Sequence, residues 1–80
     1  MIIDLHGYHI HEAWKQFNML ALHAYHKGLK KCIVITGQGA MMKEFPVWAQ
    51  NHPKIRDCTQ HPYNPGSFTI KFAKRKTNDK

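Results

Sequence analysis

Acidic residues are scarce in this sequence. Of its 80 residues only Asp4, Glu12, Glu44, Asp57 and Asp79 are acidic, against twelve Lys and Arg. A two-metal catalytic site needs carboxylates gathered around both ions, and here they are scattered along the chain. Cysteine is equally sparse. Cys32 and Cys58 are too few for a disulfide framework, and no C-x-x-C pair exists to suggest a redox or zinc motif. Cys32 lies in an apolar run and reads as a small buried hydrophobe. No apolar stretch approaches the ~20 residues that cross a bilayer, and no basic segment precedes an apolar one at the N-terminus. Neither a signal peptide nor a membrane partner is therefore expected, and a reducing cytoplasm is the expected location. Internal repeats are absent as well.

What remains is the composition of an ordinary globular protein, 42% hydrophobic and 21% charged. The length suits one domain and not two, and the chain is expected to act as a monomer. The net charge is +7. Lys74, Arg75, Lys76 and Lys80 against Asp79 place +3 on residues 73–80, leaving +4 on residues 1–72. The expected layout is a basic domain over 1–72 followed by a disordered basic arm over 73–80. A cationic surface attracts polyanions, and nucleic acid is the commonest polyanion in cells. A surface tuned only for solubility is the competing explanation.

Periodicity supplies the elements. Residues 1–5 hold an Ile-Ile pair that favours a strand, ended by His6-Gly7. Ile10, Ala13, Trp14, Phe17, Leu20, Ala21 and Ala24 recur at helical spacing, with Glu12, Lys15, Gln16, His23 and His26 opposite. On that pattern Trp14 is expected in the core. Lys27-Gly28 reads as a helix stop. Cys32-Ile33-Val34-Ile35 is a short β-favouring run that suits a buried strand. Strand, helix and strand within about thirty residues make a βαβ unit with parallel strands. A second helix carries Met41, Phe45, Trp48 and Ala49, with Trp48 expected in the core. Pro46 is expected to kink it or to restart it. Residues 55–60 form a weakly patterned third strand. A loop rich in Pro, Asn and Gly follows, and then Ser67–Phe72, where Phe68, Ile70 and Phe72 alternate with Ser67, Thr69 and Lys71.

Asp4 and His6 stand two apart at the end of the first strand, so they share a face. Open α/β sheets place ligands at the C-terminal ends of parallel strands. The second strand ends in Thr36-Gly37-Gln38-Gly39 and leads into a helix. Two glycines allow a tight turn with exposed N–H groups, and a helix N-terminus favours an anion. If the strands are neighbours, Asp4, His6 and this loop converge. Each signal alone also fits a plain turn or a capping pair.

These residues carry a family resemblance. Ile3-Asp4-Leu5-His6-Gly7 resembles the opening motif of small MutS-related (Smr) domains, and Glu12-Ala13 resembles that family's first-helix pair. Val34-Ile35-Thr36-Gly37-Gln38-Gly39 is similar to its second motif. Phe45-Pro46-Val47-Trp48, His61 and Pro65-Gly66-Ser67-Phe68 resemble later stretches, so the likeness runs over residues 2–72. It implies an α/β fold, a two-layer sandwich with a mixed four-stranded sheet and two helices, similar to the C-terminal domain of translation initiation factor three. It also implies binding or endonucleolytic cleavage of RNA or structured DNA. The functional motifs carry over to Asp4, His6, Gly37 and Gly39. Two departures stand out. Gln38 replaces the Lys often found between the glycines, and Lys43 stands where many members have Arg. Both weaken a phosphate contact.

On this reading Asp4 and His6 are the catalytic candidates, with the carboxylate orienting the imidazole for acid–base chemistry. Gly7, His9, Thr36, Gly37, Gln38, Gly39, Lys43, His61, Lys74, Arg75 and Lys76 are the nucleic-acid-binding candidates. No metal-ligand set is assigned and no particular cofactor is singled out, with a single divalent ion, Mg or Mn, on Asp4 left open. His23 and His26 are three apart on a helix, but no Cys or carboxylate completes a site with them, so they read as solvated. His11, like His9, flanks the first helix start and reads as a surface residue. Tyr8 and Tyr63 lie in loops and are candidates for stacking on bases. Three function classes stand: an endonuclease, a non-catalytic nucleic-acid-binding module, and a protein-interaction domain.

Overall fold

In a computed structural model the chain is described over residues 1–74. Residues 75–80, including Arg75, Lys76 and most of the basic arm expected from the sequence, lie outside the described residues. The elements are β1 (Ile2–Asp4), α1 (Ile10–His26), β2 (Lys31–Ile35), α2 (Ala40–Asn51), β3 (Ile55–Gln60) and β4 (Ser67–Phe72). The sheet order is β1-β2-β4-β3. β1 and β2 are parallel, while β4 runs antiparallel to both β2 and β3. This is the mixed four-stranded sheet with two helices that the sequence leads one to expect.

One face of the sheet is buried and the other is open, which makes the fold two-layered. Ile3, Cys32, Val34, Phe68, Ile70 and Phe72 point into the core. The alternate positions face away, and Ile2 and Ile33 there stay 63% and 41% exposed. The helices supply the second layer. Ala13, Phe17, Ala21 and Ala24 of α1 are fully buried, as are Phe45 and Ala49 of α2. Phe17 meets Phe45 edge-on with centroids 4.9 Å apart, and Phe45 meets Phe68 at 4.9 Å. Three rings thus tie α1, α2 and β4 together, each pair adding about 0.5–1.5 kcal/mol beyond area burial.

Two expectations change. Trp14 is 46% exposed rather than in the core. At 3.6 residues per turn it lies about 60° round α1 from Phe17, on the margin of the apolar stripe. The fully buried residues of α1, Ala13, Phe17, Ala21 and Ala24, span an arc of only about 80°, and Trp14 falls just outside it. Trp48 is partly buried, packed on the core as expected. Pro46 does not restart α2, which runs unbroken through it. The ring sits on the exposed side, so only one backbone donor is lost, and Phe45 and Ala49 anchor the helix on either side of it. α1 ends as expected, with Lys27 at the C-cap and Gly28 at φ +92°. No described helix is long and apolar enough to cross a membrane.

Candidate functional site

The end of β1 is fixed by Leu5. Its side chain is fully buried, and its N–H donates to the Ile35 carbonyl of β2 at 2.7 Å. The chain must then turn away from the sheet, and Asp4 shapes that turn. Its Oδ1 accepts the backbone N–H of His6 at 3.1 Å and lies 2.5 Å from His6 Nδ1. One carboxylate oxygen therefore both holds the turn and orients the ring. The side-chain hydrogen bond from His6 lowers the Asp4 pKa, so the carboxyl stays ionised below the usual range. In the tautomer that places the ring proton on Nδ1, toward the carboxylate, Nε2 is left as a hydrogen-bond acceptor. The side chains of His6 and Asp4 are 67% and 49% exposed, open to a substrate.

The loop after β2 reaches this pair through Gly37. At φ +75° Gly37 takes a conformation that suits glycine, and a Cβ there would lie 3.4 Å from the Cβ of His6. Gly66, from the loop before β4, presses on Gly37 from another side. A Cβ on Gly66 would fall 2.8 Å from the Gly37 carbonyl carbon. The Gly66 carbonyl accepts the N–H groups of Thr36 (2.7 Å) and Gly37 (3.3 Å), and the Thr36 hydroxyl donates to it at 3.2 Å. Thr36 is buried, and its one hydroxyl proton is shared between that carbonyl and the nearer Gly37 carbonyl at 2.8 Å. Thr36 and the Gly37 N–H thus face inward and set the loop's shape.

The outward N–H groups lie one step further on. Among the described residues, the backbone N–H groups of Gln38, Gly39, Ala40 and Met41 take no backbone partner. Gly39 is the N-cap of α2, without a side-chain cap and with no acid in the first turn. The positive end of this helix dipole is therefore uncompensated and faces the loop. Gly39 is extended, at φ −153°, with open space where a Cβ would sit. Its glycine character is not demanded by the backbone, contrary to the equal weight that the sequence reading gives both glycines. Gln38 and Lys43 are exposed.

The remaining candidates divide. Gly7, at φ +90°, continues the turn after His6, and exposed His9 is the N-cap of α1 without a side-chain cap bond. His61 stands at the end of β3, where its Nδ1 accepts the N–H groups of Tyr63 and Asn64 at 3.1 Å each. That ring orders the loop that delivers Gly66. Tyr63 and Tyr8 are both exposed. Lys74 does not join this group. Phe72 N–H bonds the Lys30 carbonyl and Ala73 N–H the Lys54 carbonyl, which places Lys74 by the start of β2, at the opposite end of the sheet. No three His, Cys, Asp or Glu side chains gather as a metal site among the described residues.

Gly66 is the residue whose importance the sequence reading missed. The Pro65-Gly66 turn signal is visible, but the contact of Gly66 with Thr36 spans thirty positions.

The Smr domain family matches residues 3–72 of this chain. The structure is similar to that of the Smr domain of Thermus thermophilus MutS2, with a TM-score of 0.85 at 15% identity, over 91% of this chain and 98% of that one. It is also similar to YdaL, a stand-alone small MutS-related protein from Escherichia coli, with a TM-score of 0.80 at 17% identity, over 91% of this chain and 64% of that one. No curated protein sequence matches the chain. With the family matched over nearly its whole length and the same fold in both solved structures, the chain belongs to the Smr domain family.

Proposed function

We propose that this domain binds nucleic acid at the Asp4–His6 edge of the sheet and cleaves RNA there. The reading is supported by membership of a family known for nucleic-acid binding and nuclease activity, and by the +7 charge. The observation that carries it is the 2.5 Å contact between His6 Nδ1 and Asp4 Oδ1, beside Gly37 and the uncapped start of α2. Phosphate sits against the N–H groups of Gln38, Gly39 and Ala40, with Gly7, His9, Lys43 and His61 around it. His6 Nε2 takes the proton of the ribose 2′-hydroxyl, and the 2′-oxygen attacks phosphorus. The bond to the 5′-oxygen breaks, and the imidazolium, stabilised by Asp4, returns the proton to that oxygen. The products are a cyclic phosphate and a 5′-hydroxyl. A Mg or Mn ion on Asp4 would find a lone carboxylate with Oδ1 already engaged twice by His6, so proton transfer falls to the imidazole. The domain works as a monomer, in the cytoplasm.

The test is cleavage of labelled single-stranded RNA and RNA hairpins, with structured DNA alongside. His6→Ala and Asp4→Ala should each remove most of the rate. The double variant should be little worse than either, as expected of groups acting as a unit. A 2′-deoxyribose at the cut site should block the reaction, and a 3′-hydroxyl product would refute the mechanism. Exposed, uncharged Gln38 in the phosphate loop favours a second reading, a module that binds without cutting. Intact binding with no cleavage of any substrate would establish it.

A further inference from the structure

The two ends of the sheet carry different chemistry. At the end opposite Asp4 a cleft of about 800 Å³ is lined by Lys30, Lys31, Arg56, Lys71 and Lys74 together with Phe72. Antiparallel pairing builds it. Lys31 of β2 stands opposite Lys71 of β4, and Lys71 stands opposite Asp57 of β3. The cations come from the Lys30-Lys31 pair, Arg56, Lys71 and Lys74, and meet only in the fold. No ion pair within 4.0 Å neutralises any of them among the described residues, where the one such pair is Asp4–His6. Holding these charges together costs repulsion that a bound polyanion would relieve.

The cleft and the Asp4 end are joined across the open face of the sheet. Side chains alternate along strands, so the open face of β2 presents Lys31, Ile33 and Ile35 in succession. Ile2 lies opposite Ile33, and Asp4 opposite Ile35. Thr69 and Thr59 continue the Ile2–Ile33 row across β4 and β3. A flat, partly apolar row therefore separates the cationic end from the catalytic end. At ~3.3 Å per residue the two ends lie about 13 Å apart along β2.

We infer that the Lys31–Lys71 cleft is a second phosphate-binding site for the same substrate, and that a single-stranded RNA runs between it and Asp4–His6 across the open sheet face. This rests on the nucleic-acid reading above. The cations hold backbone phosphates, and the row of Ile2 and Ile33 accepts the faces of unpaired bases or sugars. A duplex hides its base faces and would meet that row only with charged backbone. The charge at the cleft and the unpartnered apolar row thus point to one occupant.

The probes are oligouridylates of three and twelve nucleotides, bound to the full chain over a range of salt. Each phosphate contact to a single strand contributes about −0.7 to the slope of log affinity on log salt. Lys31→Gln with Lys71→Gln should flatten the twelve-nucleotide slope by about 1.4, a loss of about 25-fold at 0.1 M salt that vanishes near 1 M. The two phosphates of a trinucleotide are adjacent and too close to span the ~13 Å between the ends, so that probe, bound at the Asp4 end, should be unaffected. Lys15→Gln with Lys27→Gln, the same charge change on α1, should leave both slopes alone. Ile33→Thr should weaken the longer probe without altering its slope. If the wild type binds the longer probe and the double lysine variant keeps its slope, the second site is overturned and the functional reading survives. Equal losses on both probes would also overturn it, as would tighter binding of a twelve-base-pair duplex than of the single strand. No binding of either probe by the wild type at low salt would refute the functional reading itself.

Discussion

Gly66→Ala adds one methyl group at the point where two distant loops meet. The new Cβ would fall 2.8 Å from the Gly37 carbonyl carbon, 2.9 Å from its oxygen and 3.0 Å from its Cα. All three are backbone atoms, so no side chain can rotate aside. The loops must separate by several tenths of an ångström, and the bonds from Thr36 N–H and Gly37 N–H to the Gly66 carbonyl stretch as they do. Overpacking of this kind costs about 1–3 kcal/mol, and stretching the two hydrogen bonds without breaking them adds about 1 kcal/mol in all. A total of about 2–4 kcal/mol is a large share of the roughly 4–12 kcal/mol expected for a domain of this size. The melting temperature should fall by about 10–25 °C. Because Gly37 lies beside His6, binding and cleavage at temperatures where the variant is still folded should fall as well. Gly39→Ser is the matched control. Its Cβ meets open space, its φ of −153° suits any residue, and serine caps helices well. Stability should be kept or slightly raised. Thermal melts followed by circular dichroism, with oligonucleotide binding by fluorescence anisotropy, read both variants. A Gly66→Ala protein that melts and binds like the wild type would refute the claim that this close approach positions the loop.

The other predictions concern charge. Gln38→Lys puts a cation beside the outward N–H groups at the start of α2, so RNA binding should tighten and its salt slope should steepen by about 0.7; anisotropy titrations at several salt concentrations read it, and unchanged affinity would refute the placement of phosphate there. His52 is buried against Phe17, with ring centroids 5.9 Å apart. That burial, opposed by a hydrogen bond to the Asn18 backbone and aided by Lys54, lowers its pKa below 6.5. Protonation therefore favours the unfolded chain. The stability that neutral His52 contributes is complete above about pH 6.5 and is lost as pH falls below it. Urea midpoints at pH 7.5 and pH 5 should show this decline, and His52→Gln should reduce the difference.

The parts of this fold that were legible in the sequence are those whose signals are local. The spacing of Ala13, Phe17, Ala21 and Ala24, the Lys27-Gly28 stop and the alternation of Phe68, Ile70 and Phe72 each declare an element within a few residues, and Asp4 with His6 needs only strand parity to share a face. Trp14 was misplaced because periodicity assigns a residue to a stripe but does not say how wide the buried stripe is, and the one on α1 spans only about 80°. The direction of the Thr36 and Gly37 N–H groups was hidden because their partner, Gly66, arrives from thirty residues away. The same reason hides the cationic cleft. In sequence order Lys30, Lys31, Arg56 and Lys71 are ordinary surface charges, and only the strand order β1-β2-β4-β3 makes them neighbours. The Asp–His pair and the lysine cleft thus lie at opposite ends of the β1–β2 pair, where Asp4 stands opposite Ile35 and β2 runs from Lys31 into the Thr36–Gly39 loop. On the proposal that one strand of RNA fills both ends, the length of β2 also fixes how much of that strand must be present before both are occupied.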